Sequence, residues 1–387
     1  MPGELLINMQ TAINLQINLD ATLKAIAILL IVFGFALLIR LIYRRYWDKG
    51  LSFHLLFSKK ELFEGETLVI TDVVTNKKYL PMPWVYVNYS ISQVFEYLNN
   101  VSSKIPRGSR RTMLCVVGMH KSVVRKSVAL ASKRGYYIIP DIELRTNDPL
   151  MTSPMEKNIN KRYALTVYPK QVEFPESMIP FSKMLGEIIV RRFINPDPFT
   201  FRGIREYEPH DNFKQINWGA TAKAGALMSN VYDFTMSQEV TIFLNLQKYS
   251  DYERDYVHEE AIRLAAFLCR KYAKSGVPVS LVCPAADGSK TSVDSGLSHS
   301  HLLTVYTALA HINLTVNNLS LIEHLPSERG RSCVLVSSYH NSDLHERFLE
   351  MRKQGVYVHW IVPHGESDFV KVSGENITEW GVSKDAV

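Results

Sequence analysis

Charged and aromatic residues crowd the segment 201–230 more densely than a plain helix or strand requires. Arg205 offers a planar cationic donor, and acidic side chains follow at Glu206, Glu208 and Asp211. Guanidinium groups and carboxylates form paired, charge-assisted hydrogen bonds. The spacing therefore predicts an ion-pair network in the protein interior.

The same segment predicts a turn, a short helix, a glycine stop and a strand. Asp211 stands where a side-chain oxygen can cap the first N–H groups of the helix, and Phe213 and Ile216 would share one helical face. Gly225 is a natural helix stop. The alternation over residues 227–232 then suits a strand.

Two interpretations of this segment remain open. In the first, a surface that docks a partner is formed by Arg205, Glu206, Asp211, Trp218 and Lys223. In the second, the segment is an internal brace that joins a β domain to an α/β sheet. We favour the brace, because buried arginine–carboxylate networks beside a tryptophan fix the geometry between elements. The two roles are compatible.

The segment also resembles the signature of a bacterial family called domain of unknown function 58, roughly G-x-R-x-Y-x-x-G-D-x-x-R-x-I-D-W-K-x-[ST]-A-x-x-G-x-L. The matching residues are Gly203, Arg205, Tyr207, Asp211, Ile216, Trp218, Thr221, Ala222, Gly225 and Leu227. The chain departs from the pattern at His210, Lys214, Asn217 and Gly219. It therefore resembles a divergent member.

Further elements of the family pattern recur along nearly the whole chain, at Arg134-Gly135-Tyr136-Tyr137, Asp148-Pro149 and Val167-Tyr168-Pro169. The resemblance implies a membrane segment, an immunoglobulin-like β-sandwich and a von Willebrand factor A-like domain. It also implies a MoxR-type AAA+ ATPase as the partner, in complex assembly, chaperone action or envelope stress.

A von Willebrand factor A fold binds its metal through D-x-S-x-S directly after the first strand, since a divalent cation prefers converging oxygen ligands. The corresponding positions here hold Asn245, Gln247 and Tyr249, and Lys248 adds a repelling charge. We therefore expect no metal at this degenerate site. A literal D-x-S-x-T at 287–291 reads as an Asp-Gly turn.

Catalytic motifs are absent from the sequence: it has no G-x-S-x-G, no H-E-x-x-H and no P-loop. His299 and His301 lie in a serine- and histidine-rich stretch that reads as a solvated loop. We therefore expect neither a catalytic residue nor a cofactor. A hydrolase with a nonstandard site ranks last among the alternatives.

Residues 21–45 predict a transmembrane helix, because about 20 apolar residues suffice to cross the hydrocarbon core. The alternative is a signal peptide, but no small-residue cleavage site is evident. The C-terminal flank carries Arg40, Arg44, Arg45 and Lys49 against Lys24 alone on the other side. This bias predicts a single-pass protein of the bacterial inner membrane with its later domains in the cytoplasm. Residues 1–20 would be external or interfacial.

The 387 residues are 46% apolar and can bury two cores. Strand-length runs predict an antiparallel β-sandwich over 50–170, and a linker with the signature would occupy 171–238. Alternating strands and helices predict an α/β domain with a mainly parallel sheet over 239–387. The four widely spaced cysteines read as buried thiols, and the scattered charge of +6 gives little support to nucleic-acid binding.

The sequence thus predicts a non-enzymatic, membrane-anchored scaffold or adaptor whose partner is the ATPase that the resemblance implies, with membrane lipid around residues 21–45 and without nucleic acid. The alternative is a surface adhesion module that binds its ligand through a metal, which would require an intact metal site and an external C-terminus.

Overall fold

A computed structural model describes residues 2–98, 110–194, 201–209, 211–232, 239–248, 255–284, 290–314, 321–326, 331–365 and 372–382. The chain forms two compact units. The first contains Met1–Ser132 and Tyr137–Leu165, and the second contains Lys133–Tyr136 and Thr166–Val387.

The chain begins with a single helix, α1, which runs from Pro2 to Tyr46. Its part Thr22–Tyr46 is long and apolar enough to cross a membrane, and the large apolar side chains there are exposed. A signal sequence near the N-terminus would have the same length and apolar composition. The apolar helix predicted at 21–45 is confirmed, and it continues without a break into the preceding polar residues.

The first unit is an antiparallel β-sandwich, as predicted. Its strands, with two that extend into the second unit, are β1 Leu51–Phe57, β2 Glu61–Phe63, β3 Thr67–Asn76, β4 Met82–Ser90, β5 Phe95–Tyr97, β6 Arg110–Val117, β7 Ser122–Ala131, β8 Gly135–Ile139, β9 Ile142–Asn147, β10 Pro154–Ile159 and β11 Tyr163–Tyr168. Two four-stranded sheets have the orders β1-β3-β7-β5 and β10-β9-β4-β6, and a three-stranded sheet has the order β2-β11-β8.

The inner faces of the two four-stranded sheets meet around buried polar groups. Asp72 on β3 accepts a hydrogen bond of 2.9 Å from the Tyr89 hydroxyl on β4. Arg111 on β6 lies 3.3 Å from Asp72 and donates to Ser127 on β7 at 2.5 Å. Along β3 and β6, positions alternate between buried and accessible, as expected for strands with one face on a core.

The second unit contains a six-stranded mixed sheet of order β16-β15-β14-β17-β18-β19. Its elements and those preceding it are α2 Phe181–Ile194, β12 Phe201–Glu206, α3 Trp218–Ala224, β13 Met228–Tyr232, β14 Val240–Asn245, α4 Asp255–Lys274, β15 Val279–Pro284, β16 Lys290–Gly296, α5 His299–His311, β17 Ser332–Ser337, α6 Ser342–Lys353, β18 Tyr357–Gly365 and β19 Ile377–Val382. Strands β15, β14, β17, β18 and β19 are parallel to their neighbours in that series, and β16 is antiparallel to β15.

A large apolar cluster fills one region of this unit. Phe348 and Met351 of α6 pack with Trp360 of β18 and Phe243 of β14, and the rings of Phe348 and Trp360 lie 5.5 Å apart. The four cysteines are free and buried, as predicted. Burial raises the pKa of the Cys269 thiol to about 12.

Candidate functional site

The signature residues form a β-hairpin, Phe201–Tyr232, which we call the signature hairpin. Strands β12 and β13 pair antiparallel, with Arg205 opposite Ser229 and Glu206 opposite Met228. The register shifts between Phe201 and Gly203, so Gly203 lies at an irregularity of the strand. A 3-10 helix, Phe213–Gln215, and α3 fill the connection between the two strands.

Asp211 organises the turn that follows β12. Its Oδ1 lies 2.5 Å from Arg205 Nη2, and its Oδ2 accepts a hydrogen bond of 2.9 Å from the backbone N–H of Glu208. The Tyr207 hydroxyl donates to the Asp211 carbonyl at 3.3 Å. The predicted pairing of Arg205 with an acidic neighbour is confirmed. Its predicted burial is wrong, because the Arg205 side chain is 41% exposed.

The helix cap predicted at Asp211 is also wrong. Asn217 caps α3 instead, since its Oδ1 accepts a hydrogen bond of 2.9 Å from the backbone N–H of Ala220. Asn217 Nδ2 donates at 2.8 Å to Asn230 Oδ1 on β13. Because the extended backbone of Asn217 starts a new helix, Phe213 and Ile216 share no helical face. The signature has aspartate where this chain has Asn217, and both residue types are favourable helix N-caps.

The helix stop predicted at Gly225 is confirmed at the end of α3. Gly225 adopts a left-handed conformation with φ of 72° and donates its N–H to the Thr221 carbonyl. The Thr221 hydroxyl accepts a hydrogen bond of 3.0 Å from the backbone N–H of Met228, where β13 begins. Lys223 is exposed in the last turn of α3.

Two aromatic rings project from this ordered frame. Trp218 is 68% exposed and Phe213 is 75% exposed. Ile216 is buried and forms an antiparallel β-bridge with Ser229, so it connects the segment before α3 to β13. The exposure of Trp218 agrees with the docking-surface interpretation of this segment, whereas the favoured brace interpretation placed this tryptophan in the interior.

The tip of β14 and the residues after it carry two positions of the degenerate site, Asn245 and Gln247. Asn245 Nδ2 donates to Ser337 Oγ at 3.1 Å, and its Oδ1 accepts from the backbone N–H of Gln247 at 3.1 Å. Both polar atoms of this buried amide are therefore engaged within the protein, and Lys248 is nearby in an ion pair with Asp255. This arrangement does not fit a divalent cation. Tyr249 and Asp287–Ser289 lie outside the described residues.

Two acidic residues of α4 form buried ion pairs within the second unit. Acidic residues near the start of a helix ordinarily favour the helix dipole from its surface, but Glu259 and Glu260 are both buried. Glu259 binds Arg134, and Glu260 binds Arg263 one turn later. Within the described residues, no three histidine, cysteine, aspartate or glutamate side chains cluster as metal ligands would.

No protein-family model matches the chain. The uncharacterized protein YeaD of Bacillus subtilis strain 168 is 22% identical over 256 residues. The matched region covers 65% of this chain and 61% of YeaD, so the chain spans less than two thirds of this relative's length.

Solved domains resemble about a third of the chain. A CARDB domain from Pyrococcus furiosus, in complex with di-metal ions, is 14% identical and covers 31% of this chain and 94% of its own, at a TM-score of 0.21. A cohesin module from a Clostridium perfringens family 33 glycoside hydrolase is 7% identical. The match covers 30% of this chain and 96% of the module, at a TM-score of 0.23. Because both TM-scores are low, what these two domains bind carries no argument about what this chain binds.

Proposed function

We propose that the protein is a non-enzymatic, membrane-anchored scaffold or adaptor that docks a partner protein through the signature hairpin. The observation that carries this proposal is the exposure of Trp218 and Phe213 on a hydrogen-bonded frame. Large aromatic residues dominate binding energy at protein interfaces. A rigid frame also reduces the entropy that binding costs.

The chemistry around the rings suits a protein surface. Arg205 of β12 is partly exposed in the same hairpin, and Lys223 is exposed in the last turn of α3. Aromatic anchors with a charged rim are the usual anatomy of a docking site. The partner that we propose is a MoxR-type AAA+ ATPase, and the support for its identity is the family resemblance of the sequence.

The anchor in this proposal is α1, inserted in the bacterial inner membrane. The basic flank from Arg40 to Lys49 supports a cytoplasmic location for the two units. We further propose a von Willebrand factor A-like α/β domain without its metal, and a role in complex assembly, chaperone action or envelope stress.

Affinity capture of the full-length chain from native membranes tests the proposal. We expect mass spectrometry to recover an AAA+ ATPase, and Trp218→Ala to reduce that recovery at least tenfold, since interface hot spots contribute about 2 kcal/mol or more. Leu349→Ala removes an exposed apolar side chain from α6 and is the matched control. Equal recovery with both variants would exclude the hairpin as the docking site, and capture without an ATPase would exclude that partner.

A further inference from the structure

The last turn of α1 is seated on the β-sandwich of the same unit. The Tyr43 hydroxyl donates a hydrogen bond of 2.8 Å to the Pro81 carbonyl, and the Trp47 N–H continues the helix by donating to Tyr43 O at 2.9 Å. Both aromatic side chains are buried. The helix therefore ends against the loop between β3 and β4.

A lysine of this loop caps the helix. Lys78 Nζ donates to the carbonyl of Tyr46 at 3.2 Å and also to that of Trp47. The backbone N–H of Lys77 donates to Gly50 O at 2.8 Å. A cation at a helix C-terminus satisfies unpaired carbonyls and complements the helix dipole. These bonds fix the loop at the point where the candidate membrane span ends.

The loop between β6 and β7 is held at the same place. The backbone N–H of His120 donates to Lys78 O at 3.2 Å, and Asn76 Nδ2 donates to Gly118 O at 3.0 Å. The rings of Tyr79 and His120 meet edge to face at 4.4 Å. Two loops of the sandwich thus lie together beside the end of α1.

These loops carry side chains of the kind found at membrane surfaces. Tyr79 is 80% exposed and Met119 is 54% exposed. Three lysines of the same region are exposed, and together the set forms what we call the juxtamembrane rim: Lys49, Lys77, Tyr79, Met119 and Lys121. The acidic residue beside it, Asp48, pairs with Lys157 at 3.2 Å.

We infer that the juxtamembrane rim docks onto the anionic headgroups of the bilayer that α1 enters. The inference rests on the membrane anchor of the proposed function. Basic residues close to a membrane are attracted to anionic lipids, and tyrosine is favoured at the interface. The rim is continuous with the end of the span, so it lies within the reach of surface charge, about 10 Å at 0.1 M salt.

Fluorescence quenching in nanodiscs tests the inference with the full-length chain. Because the native cysteines are buried, a probe on Met119→Cys is selective. We expect headgroup-labelled quencher lipids to quench this probe at least threefold more in anionic than in zwitterionic nanodiscs. A probe on Lys60→Cys is the control and should show equal quenching in both, because Lys60 lies between β1 and β2, beyond the end of β1 that is farther from α1.

Charge reversal provides the second arm. Lys77→Glu combined with Lys121→Glu should abolish the anionic enhancement, whereas Lys60→Glu should leave it intact. Enhancement that survives the double reversal, or no enhancement in the unaltered rim, would overturn the inference while the anchor stands. Release of the chain from native membranes by alkaline carbonate would instead refute the anchor and the inference together.

Discussion

Arg134 and Glu259 form a buried ion pair in the second unit, with Nε and Oε2 2.6 Å apart, although 125 residues separate them in the chain. Arg134 Nη1 also donates to the carbonyls of Leu309 and Ile312 at the end of α5. The guanidinium therefore ties α4 to the end of α5. This arginine is the first residue of the R-G-x-Y element.

Arg134→Ala should lower the free energy of unfolding by about 3–5 kcal/mol, because it leaves the Glu259 carboxylate buried without its main partner. Lys133 pairs with the same carboxylate at 3.3 Å but is half exposed. Lys133→Ala should therefore cost about 1 kcal/mol or less. Chemical denaturation of the two variants checks the difference, and equal effects would contradict the structural role of Arg134.

His359 should make stability depend on pH. Burial, with a smaller contribution from Lys183, lowers the pKa of this β18 imidazole to about 4. The unfolded chain binds the proton more readily, so the folded state loses stability as pH falls from about 6.5 towards 4. The loss between pH 7 and pH 5 should be about 2 kcal/mol, at 1.36 kcal/mol per pH unit.

His359→Gln is the variant that isolates this effect. Glutamine does not titrate and can keep a hydrogen bond to the Thr378 hydroxyl, which lies 2.8 Å from His359 Nε2. Denaturation at pH 7 and pH 5 should show a smaller pH dependence for the variant. An unchanged dependence would assign the titration to another group.

Asn217→Ala should destabilise the signature hairpin by about 1 kcal/mol or slightly more, because α3 loses its cap. Asn217→Asp should retain the cap and lose only the donation to Asn230. Hydrogen exchange of the Ala220 amide reports the local effect. Equal protection in the alanine and aspartate variants would show that the cap contributes nothing.

Two glycines of the hairpin should respond in opposite directions to alanine. Gly225→Ala should cost about 1 kcal/mol, because the left-handed backbone is unfavourable for a residue with a Cβ. Gly219 is the second residue of α3, where an added Cβ would meet Asn217 Oδ1 at 3.4 Å, within ordinary contact distance. Gly219→Ala should therefore stabilise by up to about 1 kcal/mol. Thermal unfolding distinguishes the two signs.

Much of the fold followed from residue periodicity. The alternation of strands and helices predicted over residues 239–387 is observed, with α4 between β14 and β15 and α6 between β17 and β18. Within the predicted sandwich, residues 135–147 form two strands, β8 and β9, rather than one. Pro140 lies between them and lacks an N–H for the ladder.

The missed elements have weaker local signals. The two edge strands of the mixed sheet, β16 and β19, have one side unpaired and carry polar residues that resemble turns. Helix α2 lies in the segment that was read as a linker. The burial of Glu259 could not be predicted either, since its partner Arg134 is distant in sequence.

Only residues 47–50 separate α1 from β1. Lys78 further restrains this short connection, because its Nζ donates a hydrogen bond to the carbonyl of Tyr46 at the end of α1. In the membrane anchoring that we propose, no flexible linker would allow the β-sandwich to swing relative to α1. The sandwich would remain at one height above the lipid and in one orientation. Encounters with other proteins of the same membrane would then be governed by lateral diffusion in two dimensions, rather than by a search through the surrounding solution.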